Sequence, residues 1–211
     1  MKAIILLSGG LDSAVAAAWA RQRWGKNCYA LNFFYNQRHT KEVHFAQSLA
    51  AWYEWSYKLI NVHIPGESAL IGNLGDVNRI VRELPASFVP GRNIIFLGLA
   101  ASLAYTLEAE RIVGGWNIID YGGYPDCRPD FLHHMELAIN HGLGFGNSYK
   151  MRIEAPLVTK NKKEIILMGQ ELQVPFGMTW SCYEGGEKPC GKCGSCLHRQ
   201  KGFADAGLED K

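Results

Sequence analysis

The sequence predicts a doubly wound α/β fold with a mostly parallel five-stranded sheet and a C-terminal four-cysteine segment. Three observations predict it. Short apolar runs alternate with stretches of helical period, the pattern of βαβ units. The first apolar run, Ile4 to Leu7, enters Ser8-Gly9-Gly10-Leu11-Asp12-Ser13, and an alanine-rich stretch from Ala14 to Arg23 follows at once. Four of the six cysteines gather near the C-terminus as Cys182, Cys190, Cys193 and Cys196.

Each element follows in order. Ile4–Leu7 reads as a buried strand and Ala14–Arg23 as a helix. Cys28–Phe34 reads as the second strand, and Lys41–Trp52 carries Val43, Ala46, Leu49 and Ala50 at helical spacing. Leu59–Ile64 reads as a third strand closed by Pro65-Gly66. Residues 66–90 read as a long functional loop with one short helix. Ile94–Glu108 reads as an apolar helix, Arg111–Trp116 as a strand, Pro129–Asn140 as a helix, Lys150–Glu154 as a fifth strand and Lys162–Leu172 as a helix. Residues 1–175 are expected to form an α/β domain carrying the active site, and 176–211 a cysteine-bearing segment packed on it. In such sheets ligands sit at the carboxyl ends of the strands. Ser8–Ser13, Tyr35–His39 and Asn117–Arg128 all follow strands, so they are expected to share one cleft.

The composition is that of an ordinary globular chain: 211 residues, 47% hydrophobic, 20% charged, net charge +2. A near-neutral balance argues against a large nucleic-acid footprint. No apolar run is long enough to span a membrane, and Met1-Lys2 leads directly into the first strand, so a cytoplasmic protein without a signal peptide is expected.

A glycine turn between a strand and a helix is a ready anion site, because helix-terminal N–H groups and the positive dipole end converge there. Gly9 and Gly10 allow close approach of a phosphate, and Ser8 and Ser13 add hydroxyls. Asp12 beside an anion site suggests a bound Mg²⁺ or a helix cap. The plain alternative is that Ser and Asp merely cap the helix. No Lys follows the glycines as a Walker A loop requires, and GxGxxG is absent. The loop resembles the pyrophosphate-binding loop of the ATP pyrophosphatase (PP-loop) superfamily, whose members cleave ATP to AMP and pyrophosphate and adenylate a substrate oxygen.

The four cysteines are spaced C-x7-C-x2-C-x2-C, which suits a closed tetrahedral Zn²⁺ site. An iron–sulfur cluster uses the same ligands, and a redox pair needs only two of them. With sulfur in every position the zinc, one per chain, is expected to be structural. Cys28 reads as core packing. Cys127 reads as a small buried residue, with a nucleophile as the alternative. His133-His134 point about 100° apart on a helix and read as surface residues rather than a ligand pair.

Together with Tyr35-Asn36-Gln37-Arg38-His39, Phe88-Val89-Pro90-Gly91-Arg92-Asn93, Gly123-Tyr124-Pro125-Asp126-Cys127-Arg128-Pro129 and Thr179-Trp180-Ser181-Cys182-Tyr183-Glu184-Gly185-Gly186, these motifs resemble the 7-cyano-7-deazaguanine synthase family from about residue 3 to 208. The resemblance implies an adenine nucleotide alpha hydrolase-like fold, a homodimer and a carbon–nitrogen ligase of queuosine and deazapurine biosynthesis. It implies conversion of 7-carboxy-7-deazaguanine and ammonia to the 7-cyano base with ATP and Mg²⁺. Ser8, Gly9, Gly10, Leu11, Asp12, Ser13, Ala14 and Arg38 would bind the nucleotide. Asp12, Ser13, Arg92 and Lys162 would serve catalysis, and Arg92, Asp120, Tyr124, Asp126 and Arg128 the substrate. A carboxylate from Asp120, Asp126 or Asp130 would read the adjacent N–H donors of the base, with Tyr121 or Tyr124 stacking on it. The chain departs from the family at Trp116, Asn117-Ile118-Ile119-Asp120 and Gly122, positions expected to border the base pocket. A sibling enzyme that stops at the amide, or joins the acyl group to another amine such as a protein N-terminus, would share nearly all these motifs. A tRNA-modifying adenylating enzyme and a non-catalytic zinc-stabilised module are the more distant alternatives.

Overall fold

The structure, a computed structural model, describes residues 1–65, 68–71, 80–81, 83–117, 124–148 and 150–210. Its core is a five-stranded sheet in the order β3-β2-β1-β6-β7, with every neighbouring pair parallel. The strands are β1 (Lys2–Leu6), β2 (Cys28–Phe34), β3 (Ser56–Asn61), β6 (Ala109–Val113) and β7 (Arg152–Glu154). The helices are α1 (Leu11–Trp24), α2 (Lys41–Trp52), α3 (Arg92–Thr106), α4 (Pro129–Gly142), α5 (Lys162–Glu171) and α6 (Gly194–Ala206). A separate antiparallel pair, β4 (Ile80–Val81) and β5 (Leu84–Pro85), stands where the sequence suggested a loop with one short helix.

Two cores flank the sheet because successive strand residues point to opposite faces. From β1, Ala3 and Ile5 enter the layer under α1, α2 and α5, and Ile4 enters the layer with α3 and α4. The alanines of α1 are fully or almost fully buried, so this helix lies close to the sheet. At the other end of the sheet, buried Asn140 of α4 donates to Met151 O and accepts from Met151 N, fastening α4 to the approach of β7.

Several boundaries differ from the sequence reading. β3 is three residues earlier than Leu59–Ile64, because pairing with β2 runs from Tyr29↔Ser56 to Phe34↔Asn61. Ile64, apolar enough to read as strand, is buried from the loop instead. β6 ends at Val113 rather than Trp116. A Cβ on Gly115 would lie 2.7 Å from the Asp12 carbonyl carbon, so only glycine lets the chain pass the start of α1 there. Helix α6 (Gly194–Ala206) is not predicted by the sequence pattern, in which the cysteine knuckle dominates the segment. Buried Cys196 and Phe203, seven positions apart on one face, and Gly207 in the left-handed C-cap were its available signals.

Candidate active site

The turn between β1 and α1 has a geometry that could hold an anion. Gly10 is the N-cap, in extended conformation, and no side chain caps the helix. The helical geometry leaves the opening amides of α1 without intrahelical acceptors. The serines serve the turn instead: Gly10 N donates to Ser8 Oγ, Ser8 Oγ donates to Ser13 Oγ, and Ser13 Oγ donates to Gly10 O. The capping alternative is therefore not what these residues do.

Gly9 has φ +91, and a Cβ there would lie 2.1 Å from Glu42 O and 2.8 Å from Ala46 N. The first turn of α2 thus packs directly on the loop backbone. Gly9→Ala should cost about 3 kcal/mol in chemical denaturation, from positive φ and backbone overlap combined. A stability loss under about 1 kcal/mol would contradict this packing.

The cleft above the turn encloses about 290 Å³ at the carboxyl ends of β1, β2 and β6. Of the loop residues, Ser8, Gly10, Leu11, Asp12 and Ser13 line it, while Gly9 and Ala14 lie behind. Lys162, the first residue of α5, reaches across from a capping box formed by Asn161 and Glu164. Its Nζ donates to Asp12 Oδ1 and Oδ2 at 2.7 and 2.9 Å. The Lys162 stem lies against Gly202 of α6, where a Cβ would come within 2.4 Å of Lys162 Cγ. The C-terminal helix therefore shapes the position of a cleft residue.

Opposite the loop stands a second cluster. Arg92, at the start of α3, donates from Nη1 to Tyr35 Oη at 3.1 Å. Burial acts to lower the Arg92 pKa, but Tyr35 and Asp126 outweigh it and hold the guanidinium charged. Glu42 of α2 also lines the cleft, and a Cβ on Gly10 would sit 4.0 Å from Glu42 Oε1. Loss of solvent raises the Glu42 carboxyl to about 7, with Arg92 opposing the rise. Arg38 lines the same cleft and pairs with Glu184 at 3.5 Å.

The residues expected at the substrate do not all reach the cleft wall. Asp126 is buried behind it, accepting from Asn93 N at 3.2 Å while Asn93 Nδ2 donates to Asp126 O. Tyr124 is buried with its hydroxyl 2.7 Å from Ser87 Oγ. Arg128 is the exposed N-cap of α4, and Asp130 lies exposed in its first turn. Asp120, Tyr121, Ile118 and Gly122 lie outside the described residues. Trp116 does border the cleft, its ring folded back over Gly114.

Cys127 lines the cleft, but burial and neighbouring Asp126 push its thiol up to about 12, and Asn93 Nδ2 donates to it at 3.4 Å. A thiol held neutral in this way is packing rather than a nucleophile. His133 and His134 are both exposed on α4.

Sequence reasoning did not single out Glu42, Tyr35 as an Arg92 partner, or Arg199. Glu42 looks like an ordinary acidic residue in a first helical turn. Arg199 of α6 reaches the cleft while its Nη1 donates to Thr179 Oγ1 at 2.8 Å and its Nε and Nη2 engage Asp210 at 2.7 Å. No local pattern marks it.

Cys182, Cys190, Cys193 and Cys196 bring their four sulfurs within 4.8 Å of one another, a set that could hold a metal ion. Backbone amides support them: Cys190 N and Glu184 N donate to Cys182 Sγ, and Cys193 N donates to Cys190 Sγ. Burial acts to raise the Cys190 thiol, yet the Lys192 and Cys193 amides bring it down to about 7. Burial pushes the Cys193 and Cys196 thiols up instead, and four sulfurs this close together fit a tetrahedral ion. The segment is tied to the loop through Trp180, whose N donates to Gly9 O at 2.9 Å and whose Nε1 donates to Cys182 O at 2.8 Å. Among the described residues, no helix is long and apolar enough to cross a membrane.

Comparison with known proteins agrees with this architecture. The family described as queuosine biosynthesis protein QueC matches residues 2–207. A protein of Thermoplasma acidophilum named 7-cyano-7-deazaguanine synthase is 45% identical over 99% of this chain and 90% of its own. One of the same name from Trichormus variabilis is 40% identical over 100% of this chain and 96% of its own. Among solved structures, the NMN synthetase of Francisella tularensis superposes with TM-score 0.55 at 16% identity, covering 100% of this chain and 79% of its own. The NH3-dependent NAD synthetase of Campylobacter jejuni gives TM-score 0.50 at 18% identity, over 84% of this chain and 66% of its own. These two likenesses show a shared fold.

Proposed function

The chain belongs to the family described as queuosine biosynthesis protein QueC, and from that premise we propose that it is a carbon–nitrogen ligase making 7-cyano-7-deazaguanine (preQ0). It converts 7-carboxy-7-deazaguanine and ammonia to the 7-cyano base at the expense of ATP. The observation that carries the reading is the uncapped α1 terminus facing a cleft with Lys162 and Arg92 on its walls. That is an enclosure for polyphosphate beside a carboxylate.

A carboxylate is a poor acyl donor because its leaving group would be oxide. Adenylation converts that oxygen into part of AMP, which leaves readily. Ammonia then forms the amide. A second adenylation, now at the amide oxygen, followed by loss of AMP, leaves the nitrile. Both activations are attacks of an oxygen on the α-phosphorus, so one cleft serves both. Ser8, Gly10, Leu11 and Ser13 hold the pyrophosphate, with Gly9 and Ala14 shaping the turn. Arg38 and Arg92 bind the anionic ends of the reactants, and Asp126 orients Arg92 and Asn93 from behind. Asp12 already accepts from Lys162 on both oxygens, so Mg²⁺ would enter with ATP and balance phosphate charge within the cleft. Zn²⁺ fits the four cysteines as a structural ion. The enzyme acts in the cytoplasm as a homodimer, and its partners are small molecules.

The test is incubation of the protein with ATP, Mg²⁺, ammonium and 7-carboxy-7-deazaguanine, with products read by mass. Nitrile with two AMP per turnover is the expected result. Accumulated amide without nitrile, or turnover only with another amine such as a peptide N-terminus, would overturn it.

A further inference from the structure

Building on that reading, we propose that Glu42 is the general base that receives a proton from ammonium at the acyl-adenylate. The assignment rests on where the side chain lies. Glu42 belongs to the first turn of α2, whose backbone packs on Gly9 so closely that only glycine fits. That contact sets its carboxylate against the pyrophosphate turn, near Gly10, inside the cleft. No described residue hydrogen-bonds to either carboxylate oxygen, in contrast to Asp12, which is occupied by Lys162 on both oxygens. An acceptor without a protein donor, facing a reaction cleft, is available to a small cationic donor such as ammonium.

The charged and titratable surroundings suit that task. From α3, Arg92 faces Glu42, and from the segment after β2, Tyr35 does so. The packed turn itself, Gly9-Gly10, contributes no titratable group. Asp12, Lys162, Arg38 and His39 line the same cleft. Withdrawal from solvent outweighs Arg92 and lifts the Glu42 carboxyl to about 7, where a base is best matched to neutral pH.

The step balances. Ammonium passes one proton to the Glu42 carboxylate and becomes ammonia. The nitrogen lone pair attacks the acyl carbon, and the carbon–oxygen bond to AMP breaks with its electron pair leaving on AMP. The second proton departs from nitrogen to solvent, giving the neutral amide. Glu42 then returns its proton to solvent before the next ammonium arrives.

The test compares wild type with Glu42→Gln using two nucleophiles, ammonium and hydroxylamine. Hydroxylamine is already unprotonated at neutral pH and needs no base to become a nucleophile. With ammonium, E42Q should lose about a hundredfold or more in kcat, and its rate should track free ammonia, still rising about tenfold per pH unit above neutrality where wild type levels off. With hydroxylamine, E42Q should form hydroxamate and AMP within about tenfold of wild type, with unchanged KM for ATP. That activity also reports that the variant is folded. Equal loss with both nucleophiles would overturn the proposal, as would a wild-type rate with ammonium. Failure of the functional reading is separate: wild type would then form no AMP from the deazaguanine acid with either nucleophile.

Discussion

Asp12→Ala should lower AMP formation by roughly a thousandfold while leaving the chain folded. The expectation follows from the bidentate contact of Lys162 with Asp12 in the first turn of α1. The carboxylate holds the ammonium group beside the start of α1, where the proposed phosphate site lies. Lys162→Ala should produce a comparable loss, and the double variant little more, because the two side chains act as a unit. The cost to stability should be modest, about 1–2 kcal/mol, since the Asp12 side chain is 24% exposed and solvent screens part of the pair. Single-turnover release of pyrophosphate measures the effect on the adenylation step itself. Unimpaired pyrophosphate release by Asp12→Ala would remove the loop from the chemistry.

The second large effect concerns the cysteine cluster. Stripping the metal with a chelator, or replacing Cys193 by Ser, should cost about 4 kcal/mol and lower Tm by about 10 °C. Activity should fall in parallel, although no cysteine of the cluster needs to touch substrate. The route is structural. The cluster holds the loop through Trp180, which donates to Gly9 O, and it anchors α6, whose Gly202 bounds the Lys162 stem. Arg199 adds a third tie by joining α6 to Thr179. Elemental analysis should find one zinc per chain, and restoring zinc should restore both Tm and turnover. A chelated protein with unchanged Tm and activity would show that the cluster stabilises nothing.

Much of the fold was legible because burial imposes period. Apolar runs separated by helical-period segments mark all five sheet strands, and glycines at 9 and 10 mark the tight turn between β1 and α1. Boundaries were less legible, since an apolar residue is buried equally well from a loop as from a strand. Ile64 misled for that reason, and Trp116 misled because it turns back over Gly114 instead of extending the sheet. Helix α6 was hidden by its own cysteines, whose spacing carries a metal signal strong enough to mask the helical one.

What the sequence by itself determined is the set of groups with intrinsic chemical character: the glycine turn, the sulfur set, and the alternation that forces a parallel sheet. Those properties reside in single residues and short spacings. Only the tertiary structure decided the pairings. It joined Lys162 to Asp12 across 150 positions, placed Glu42 against Gly10, and bound Asp126 to Asn93 behind the cleft wall instead of on it. The physical reason is that charge, solvation and proton affinity at a site depend on distance and water exclusion between remote segments. Chain packing sets those quantities, and local sequence does not encode them.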